Sequence, residues 1–199
     1  MVEVVVQRTK NQLRAALLRK RRGLAQHIRD AEATALRGWL PALVAHGQTV
    51  CAYVPVGSEP GSPAMLDTLL NLGVRVLLPI ARHNSDGVPM PMQWGTYRPG
   101  GLLDAEFGLR EPPPPWLPAE AAGEADVILV PALAVDRSGS RLGRGAGFYD
   151  RTLGCVAPDA RLVAVVRDEE LLDELPAEPH DVRMTHALTP DGGIVPLGR

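Results

Sequence analysis

Four short apolar runs rich in β-branched residues constrain this chain more than anything else in it: Val50 to Val56, Val74 to Ile80, Asp126 to Pro131 and Arg161 to Val166. Runs of that length, bounded by turn formers, are strands buried on both faces. Between the first two, Ser62-Pro63 opens a helix with a capping serine and a proline at its first position, and Gly73 closes it. Two strands joined by a helical crossover form a parallel unit, so the expected class is α/β, a mainly parallel sheet flanked by helices. With 199 residues the chain has length for one core and little more, and a single domain spanning 1–199 is expected.

The rest of the chain decorates that alternation. Thr9 followed by Gln12 has the form of a capping box, and Leu13, Leu17, Leu24 and Ile28 recur at helical spacing, which predicts a helix to residue 29, strained or broken near Gly23. A second helical pattern starts at Asp30, carries Leu36, Trp39, Leu40 and Leu43 and stops at Gly47, with Pro41 expected to kink or divide it. Asn84-Ser85-Asp86-Gly87 predicts a turn before Val88 to Trp94, an antiparallel excursion in the middle of the chain. The proline-rich stretch 104–125 is expected to be an ordered surface loop, a flexible linker being the alternative. Glu169 to Leu175 reads as a short helix, and Met184 to Val195 as one or two short strands.

Cys51 and Cys155 are expected as buried or half-buried thiols, with no metal-ligand spacing around them. The run Val2 to Val6 is interrupted by Glu3, and neither a signal-length apolar region nor a membrane span is present, which predicts a cytoplasmic protein with no membrane partner. A formal net charge of −2 gives no reason for a polyanion partner. The basic N-terminal helix keeps a nucleic-acid-binding reading in view; an aromatic content of 4% and the absence of a stacking platform stand against it.

Residues 139 to 151 read G-S-R-L-G-R-G-A-G-F-Y-D-R. Gly143, Gly145 and Gly147 alternate with larger residues and leave the backbone bare beside Arg141 and Arg144, so N–H groups and fixed positive charge can face one concavity. Such a loop is an anion cradle or, more plainly, a solvated glycine-rich turn. Phe148, Tyr149 and Asp150 open a short helix ending near Gly154, whose N-terminus would favour phosphate. Lys10 and Arg14 lie on one face of the first helix near its start, where positive charge is unfavourable unless an anion compensates it. The cluster Arg19 to Arg22 reads instead as a solvated basic face.

The segment V-P-A-L-A-V-D-R-S-G-S-R-L-G-R-G-A-G-F-Y-D-R, residues 130 to 151, resembles the signature of the 5-formyltetrahydrofolate cyclo-ligase family. The likeness extends to K-N-Q-L-R at residues 10 to 14, to Glu59, to Leu78-Pro79, to F-G-L-R-E-P at residues 107 to 112 and to P-H-D at residues 179 to 181. It implies an enzyme that couples ATP hydrolysis to ring closure of 5-formyltetrahydrofolate, through phosphorylation of the formyl oxygen. Such chemistry asks for charge stabilisation and positioning rather than a covalent nucleophile, and no motif for one is present. A fold paralogue that keeps nucleotide and folate binding without this activity is the alternative.

By this resemblance Arg141 and Arg144 serve catalysis, and Lys10, Arg14, Arg141, Gly143, Arg144, Gly145, Gly147 and Tyr149 hold ATP. Val54, Glu59, Arg144 and Phe148 contact the folate, and Asp150 with Asp181 holds Mg²⁺. Read from the residues alone, Asp150 is equally a helix-start charge and Asp181 a turn residue, while Val54, Phe148 and Trp94 are ordinary core residues. Trp94 is considered as a wall of the folate pocket, His180 as a partner of the metal site, and Asp136 as the residue that fixes the turn to Gly139. The family's pattern is departed from at Ala146, where some members carry lysine, at Phe148, where tyrosine is common, in Ile80-Ala81-Arg82 and in Thr189-Pro190. The resemblance implies a monomer acting on a small-molecule substrate, with no nucleic acid.

Overall fold

In the computed structural model, which describes residues 9–176 and 181–198, each apolar run lies in one sheet. Helices α1 (Lys10–Arg22) and α2 (Gln26–Leu43) lead into β1 (Thr49–Cys51), α3 (Ala64–Asn71), β2 (Arg75–Ile80) and β3 (Gln93–Thr96). A small hairpin of β4 (Leu103–Asp104) and β5 (Arg110–Glu111) precedes β6 (Val127–Pro131), β7 (Ala134–Asp136), β8 (Arg141–Leu142) and α4 (Phe148–Thr152). The chain closes with β9 (Arg161–Val165), β10 (Leu171–Leu172), β11 (His186–Thr189) and β12 (Gly193–Pro196).

The main sheet is ordered β12-β11-β9-β6-β1-β2-β3. Its inner strands run parallel, and β3 and β12 pair antiparallel at the two edges. Period-two alternation sends Val50, Val76, Val127, Leu129, Val163 and Leu188 to one face, where Leu36, Leu40 and Leu43 of α2 and Leu66 and Leu69 of α3 cover them. Cys51, Leu77, Ile128, Val130, Ala164 and Ala187 face the other way, onto Met92, Ala122, Leu153 and Met184. Each fully buried leucine contributes about 1.5–3 kcal/mol, so truncating Leu40 to alanine should cost about 2–5 kcal/mol. From β1 the chain crosses to β2 on one side, while β6 lies on the other, and the order reverses there. A crevice opens beyond the carboxyl ends of strands at such a point.

A second sheet, ordered β10-β7-β8, sits against α1, with Leu17 packed on Leu133, Ala134, Leu142 and Leu175. It carries the glycine loop away from β8 and presents it to the crevice. Asp136 fixes the turn before the loop, as expected: one oxygen accepts from the Ser138 and Ser140 N–H groups, the other from that of Leu175.

Several boundaries differ from the sequence reading. The capping box at Thr9 and Gln12 is formed, and the first helix ends at Arg22 with Gly23 as its cap. The second begins at Gln26 rather than Asp30, because Ala25 takes the extended cap conformation without a capping side chain to announce it. Pro41 sits inside α2 without dividing it, and the helix ends at Leu43, short of Gly47. The first strand is confined to Thr49–Cys51, since beyond it the chain turns into the crevice. Pro63, not Ser62, is the cap of α3. Residues 168–170 form one 3-10 turn followed by β10, where a helix to Leu175 was expected, because Leu171 and Leu172 pair with β7. The stretch 104–125 is ordered, holding the β4–β5 hairpin, a bridge from Leu117 to Trp94 and a 3-10 helix. Cys51 is buried but Cys155 is exposed, and both are free thiols. No described helix is long and apolar enough to cross a membrane. His180 and Val2 to Val6 lie outside the described residues.

Candidate active site

Two adjoining cavities, of about 480 and 470 Å³, share the glycine loop as their common wall. The first is lined by Thr9, Lys10, Asn11 and Arg14 from the start of α1, by Arg141, Leu142, Gly143, Gly145 and Asp150, and by Asp181. The second lies beyond the carboxyl ends of β1, β2 and β6, where Tyr53, Val54, Glu59, Pro79 and Pro131 meet Phe148 and Tyr149. Arg141, Gly143, Gly145 and Asp150 line both.

The loop's conformation requires two of its glycines, Gly145 and Gly147, both at positive φ, and uses Gly143 for space. Gly145 has φ +97°, in the left-handed region that strains any side chain, although an added Cβ would meet the Arg14 guanidinium only in ordinary contact, at 3.6 Å. At Gly143 an added Cβ would meet nothing, so the missing side chain leaves an open floor. Arg14 secures that floor by donating from Nε to the Gly143 carbonyl at 3.0 Å. The helix after the loop spans Phe148–Thr152 and continues as a 3-10 turn over Leu153–Cys155, close to the expected end, while the start of the longer α1 also faces the first cavity.

Both carboxylates of the first cavity are paired with cations, while Arg14 donates to the Gly143 carbonyl and to Asn11. Lys10 Nζ lies 3.1 Å from Asp181 Oδ2. Arg141 is paired with Asp150 and stacks over the Tyr149 ring, its carbon 5.5 Å from the centroid. The Arg141 side chain is only 7% exposed, and its Nε is buried without a hydrogen-bond partner among the described residues. Burial pulls the Arg141 pKa down, while Asp150, Tyr149 and Asp181 oppose that shift. A buried cation with an unsatisfied donor at a cavity wall is suited to receive an anion. No group of three or more His, Cys, Asp or Glu side chains placed to hold a metal occurs among the described residues. Asp150 and Asp181 are two carboxylates on one cavity, a set that suits a cation carrying most of its ligands with it.

In the second cavity the central carboxylate is Glu59. Its Oε2 accepts the Val56 N–H at 2.9 Å, and its Oε1 lies 3.3 Å from Arg144 Nε. Burial raises the Glu59 pKa; the Val56 bond and the Arg144 and Arg21 charges work against the rise. Burial also pushes the Tyr149 hydroxyl up, with Glu59 adding to it. His83 stands edge-on to Phe148, ring centroids 5.0 Å apart.

The structure thus brings Lys10, Arg14, Arg141, Gly143, Gly145, Asp150 and Asp181 to one cavity, and Val54, Glu59 and Phe148 to the other. Arg144, Gly147 and Tyr149 line the second alone, so their place is on the far side of the loop from Lys10 and Arg14. Trp94 does not form a pocket wall; it is 1% exposed in the core, paired with Pro79 across the β2–β3 ladder. The basic cluster at the end of α1 is not wholly solvated either, because Arg21 is buried against Glu170. His83, Tyr53 and Met92 were missed, since nothing in the sequence places the β2–β3 turn over the strand ends; Leu109 and Arg110 lay within a quoted motif but were given no role.

A model of the 5-formyltetrahydrofolate cyclo-ligase family matches residues 6–190. The chain is 72% identical over 190 residues to the 5-formyltetrahydrofolate cyclo-ligase of Mycolicibacterium smegmatis, covering 96% of this chain and 98% of that one. To the Escherichia coli protein of the same name it is 29% identical over 167 residues, covering 83% and 89%. The solution structure of Aquifex aeolicus 5,10-methenyltetrahydrofolate synthetase matches with a TM-score of 0.76 at 26% identity, over 96% of this chain and 93% of that one. Fold and sequence agree: the chain belongs to the 5-formyltetrahydrofolate cyclo-ligase family.

Proposed function

We propose that this chain closes 5-formyltetrahydrofolate to 5,10-methenyltetrahydrofolate, converting ATP to ADP and phosphate. The observation that carries this reading is the shared wall: a charged cavity and a largely apolar one meet at Arg141 and the glycine loop. In this reading the nucleotide phosphates lie in the first cavity, against Lys10, Arg14, Arg141, Gly143 and Gly145. The reduced folate lies in the second, its ring against Val54 and Phe148 and its N–H donors toward Glu59. Gly147 and Tyr149 close the loop over the nucleotide from the second cavity.

An amide oxygen is a weak nucleophile and a poor leaving group. The formyl oxygen therefore attacks the γ-phosphorus, the bond to the β-phosphate oxygen breaks, and ADP leaves with that electron pair. N10 then attacks the activated formyl carbon, loses its proton, and phosphate departs with the former formyl oxygen. Arg141 and Arg144 stabilise the charge that develops on the transferring group, from its two sides. Asp150 and Asp181 would hold Mg²⁺, which when bound neutralises phosphate charge. Asp150 is released for that role as Arg141 exchanges its carboxylate for phosphate. We place this chemistry in the cytoplasm, in one domain acting as a monomer, without nucleic acid or membrane.

The test is the appearance of the methenyltetrahydrofolate chromophore on mixing the protein with 5-formyltetrahydrofolate and MgATP. Formation dependent on ATP, with one phosphate released per product, is the expected result. Nucleotide binding without the chromophore would leave a paralogue acting on another substrate and would overturn the reading.

A further inference from the structure

Beneath the two cavities lies a quartet of charged side chains that touches neither. Arg21 donates from Nε and a terminal nitrogen to the two oxygens of Glu170, at 2.7 and 2.6 Å, and to the Ala132 carbonyl. Arg167 donates from Nε to Glu32 at 2.8 Å and from a terminal nitrogen to the Ser58 carbonyl at 3.3 Å. Glu170 also accepts the Arg167 backbone N–H at 2.8 Å, joining the two pairs. The side chains of Arg21, Arg167 and Glu170 are 1–2% exposed and that of Glu32 is 16% exposed.

Burying charge in this manner is an inefficient source of stability, since well-packed apolar residues of the same volume do as well or better. What a satisfied buried network does supply is fixed geometry. Each partner of this one leads to a cavity. Ser58 precedes Glu59, and the next turn residue, Pro60, accepts from the buried Tyr53 hydroxyl at 2.7 Å. Ala132 follows Pro131, which lines the second cavity. Arg21 ends the helix whose first turns carry Lys10 and Arg14. Glu32 belongs to α2, which is packed on the sheet and gives the network a fixed anchor.

We propose that Arg21, Glu32, Arg167 and Glu170 form a positioning device that holds the Glu59 turn and the first helix in register with the glycine loop. The Arg167–Glu32 arm sets the Glu59 turn; the Arg21–Glu170 arm joins the first helix to the end of β6. This rests on the functional reading above, and the test separates the two.

Two neutral replacements each remove one arm, together with the longer 3.8 Å contact between Arg167 and Glu170, and leave the other arm intact: Glu32→Gln with Arg167→Met, and Arg21→Met with Glu170→Gln. The first should raise the KM for 5-formyltetrahydrofolate about tenfold, with the KM for MgATP unchanged, because only the Glu59 turn loses its tether. The second should raise both. Arg167→Lys with Glu32 intact should recover part of the folate KM. Amide hydrogen exchange, which needs no turnover, should quicken at residues 56–60 in the first variant and in α1 in the second. If the parent lacks activity but exchange divides in this way, the functional reading falls and the positioning role stands. Lower melting temperatures with unchanged KM values and uniform exchange would overturn the positioning role.

Discussion

The two cavities are built by opposite strategies. The charged one draws its residues from positions 9–14, 141–150 and 181, and each carboxylate in it is matched to a cation. The apolar one is assembled from the ends of adjacent strands, the Glu59 turn and the glycine loop, with the Glu59–Arg144 pair on the side away from Lys10. A polyphosphate brings its own charge, so its site must be electrostatically quiet when empty and able to exchange partners when filled. A ring system brings area, and needs walls already in place. Arg141 is the point where the two requirements meet.

The largest effect is expected where the cavities meet. Arg141→Met should lower kcat by about 10²–10³-fold with both substrates saturating, read from the initial rate of chromophore formation. An effect confined to one KM would break the picture of a shared wall. Next in size, Glu59→Gln should raise the folate KM about tenfold and leave the MgATP KM alone, which would assign one carboxylate to one cavity. Because burial raises the Glu59 pKa, its carboxylate protonates above the ordinary range as pH falls. The folate KM should therefore climb on acidification from that raised value downward, a limb the glutamine variant lacks. The sign for stability is the reverse: holding Glu59 ionised in the fold is a cost that vanishes at low pH.

Gly145→Ala should have a smaller effect, felt in both cavities because Gly145 lines both. The left-handed backbone costs a side-chain-bearing residue about 1–2 kcal/mol, while the added methyl meets Arg14 only in ordinary contact, so the loop shifts and the KM values for MgATP and folate should both rise modestly. The smallest change in catalysis is expected from Asp168→Asn, which touches neither cavity. Burial would raise the Asp168 pKa, but bonds from the Thr189 hydroxyl and the Gly192 and Asp191 N–H groups outweigh it and lower the pKa. Its stabilisation is present above the unfolded value and lost as pH falls through the lower folded one. The asparagine variant should unfold about 1–2 kcal/mol more easily at neutral pH in denaturant titration and should flatten that acid dependence.

What the sequence revealed and what it hid follow from distance along the chain. The capping box at Thr9, the turn at Asp136 and the glycine loop are local, so a few neighbouring residues specify each of them. The strands were legible because both faces are buried and their runs are continuous. Arg21 was misread as solvent-facing because its partner is Glu170, which lies 149 residues away and leaves no trace in a local window. The helix expected after Glu169 gave way to β10 because pairing with β7 outweighed local preference. Lys10, Glu59 and Asp150 were marked as candidates by a family pattern and line the cavities, whereas His83 sits beside a turn whose placement depends on the whole sheet.

The Lys10–Asp181 pair joins residues 171 positions apart, and Arg14 reaches across 129 positions to the Gly143 carbonyl. During synthesis, then, a nascent chain can present the glycine loop long before the charged cavity has its last carboxylate. At about 5–20 residues per second, the interval between residue 150 and residue 181 lasts seconds. An emerging chain in that interval has the glycine loop without the Asp181 carboxylate that pairs with Lys10. Translation order alone thus withholds a complete charged cavity until nearly the whole fold is available to use it.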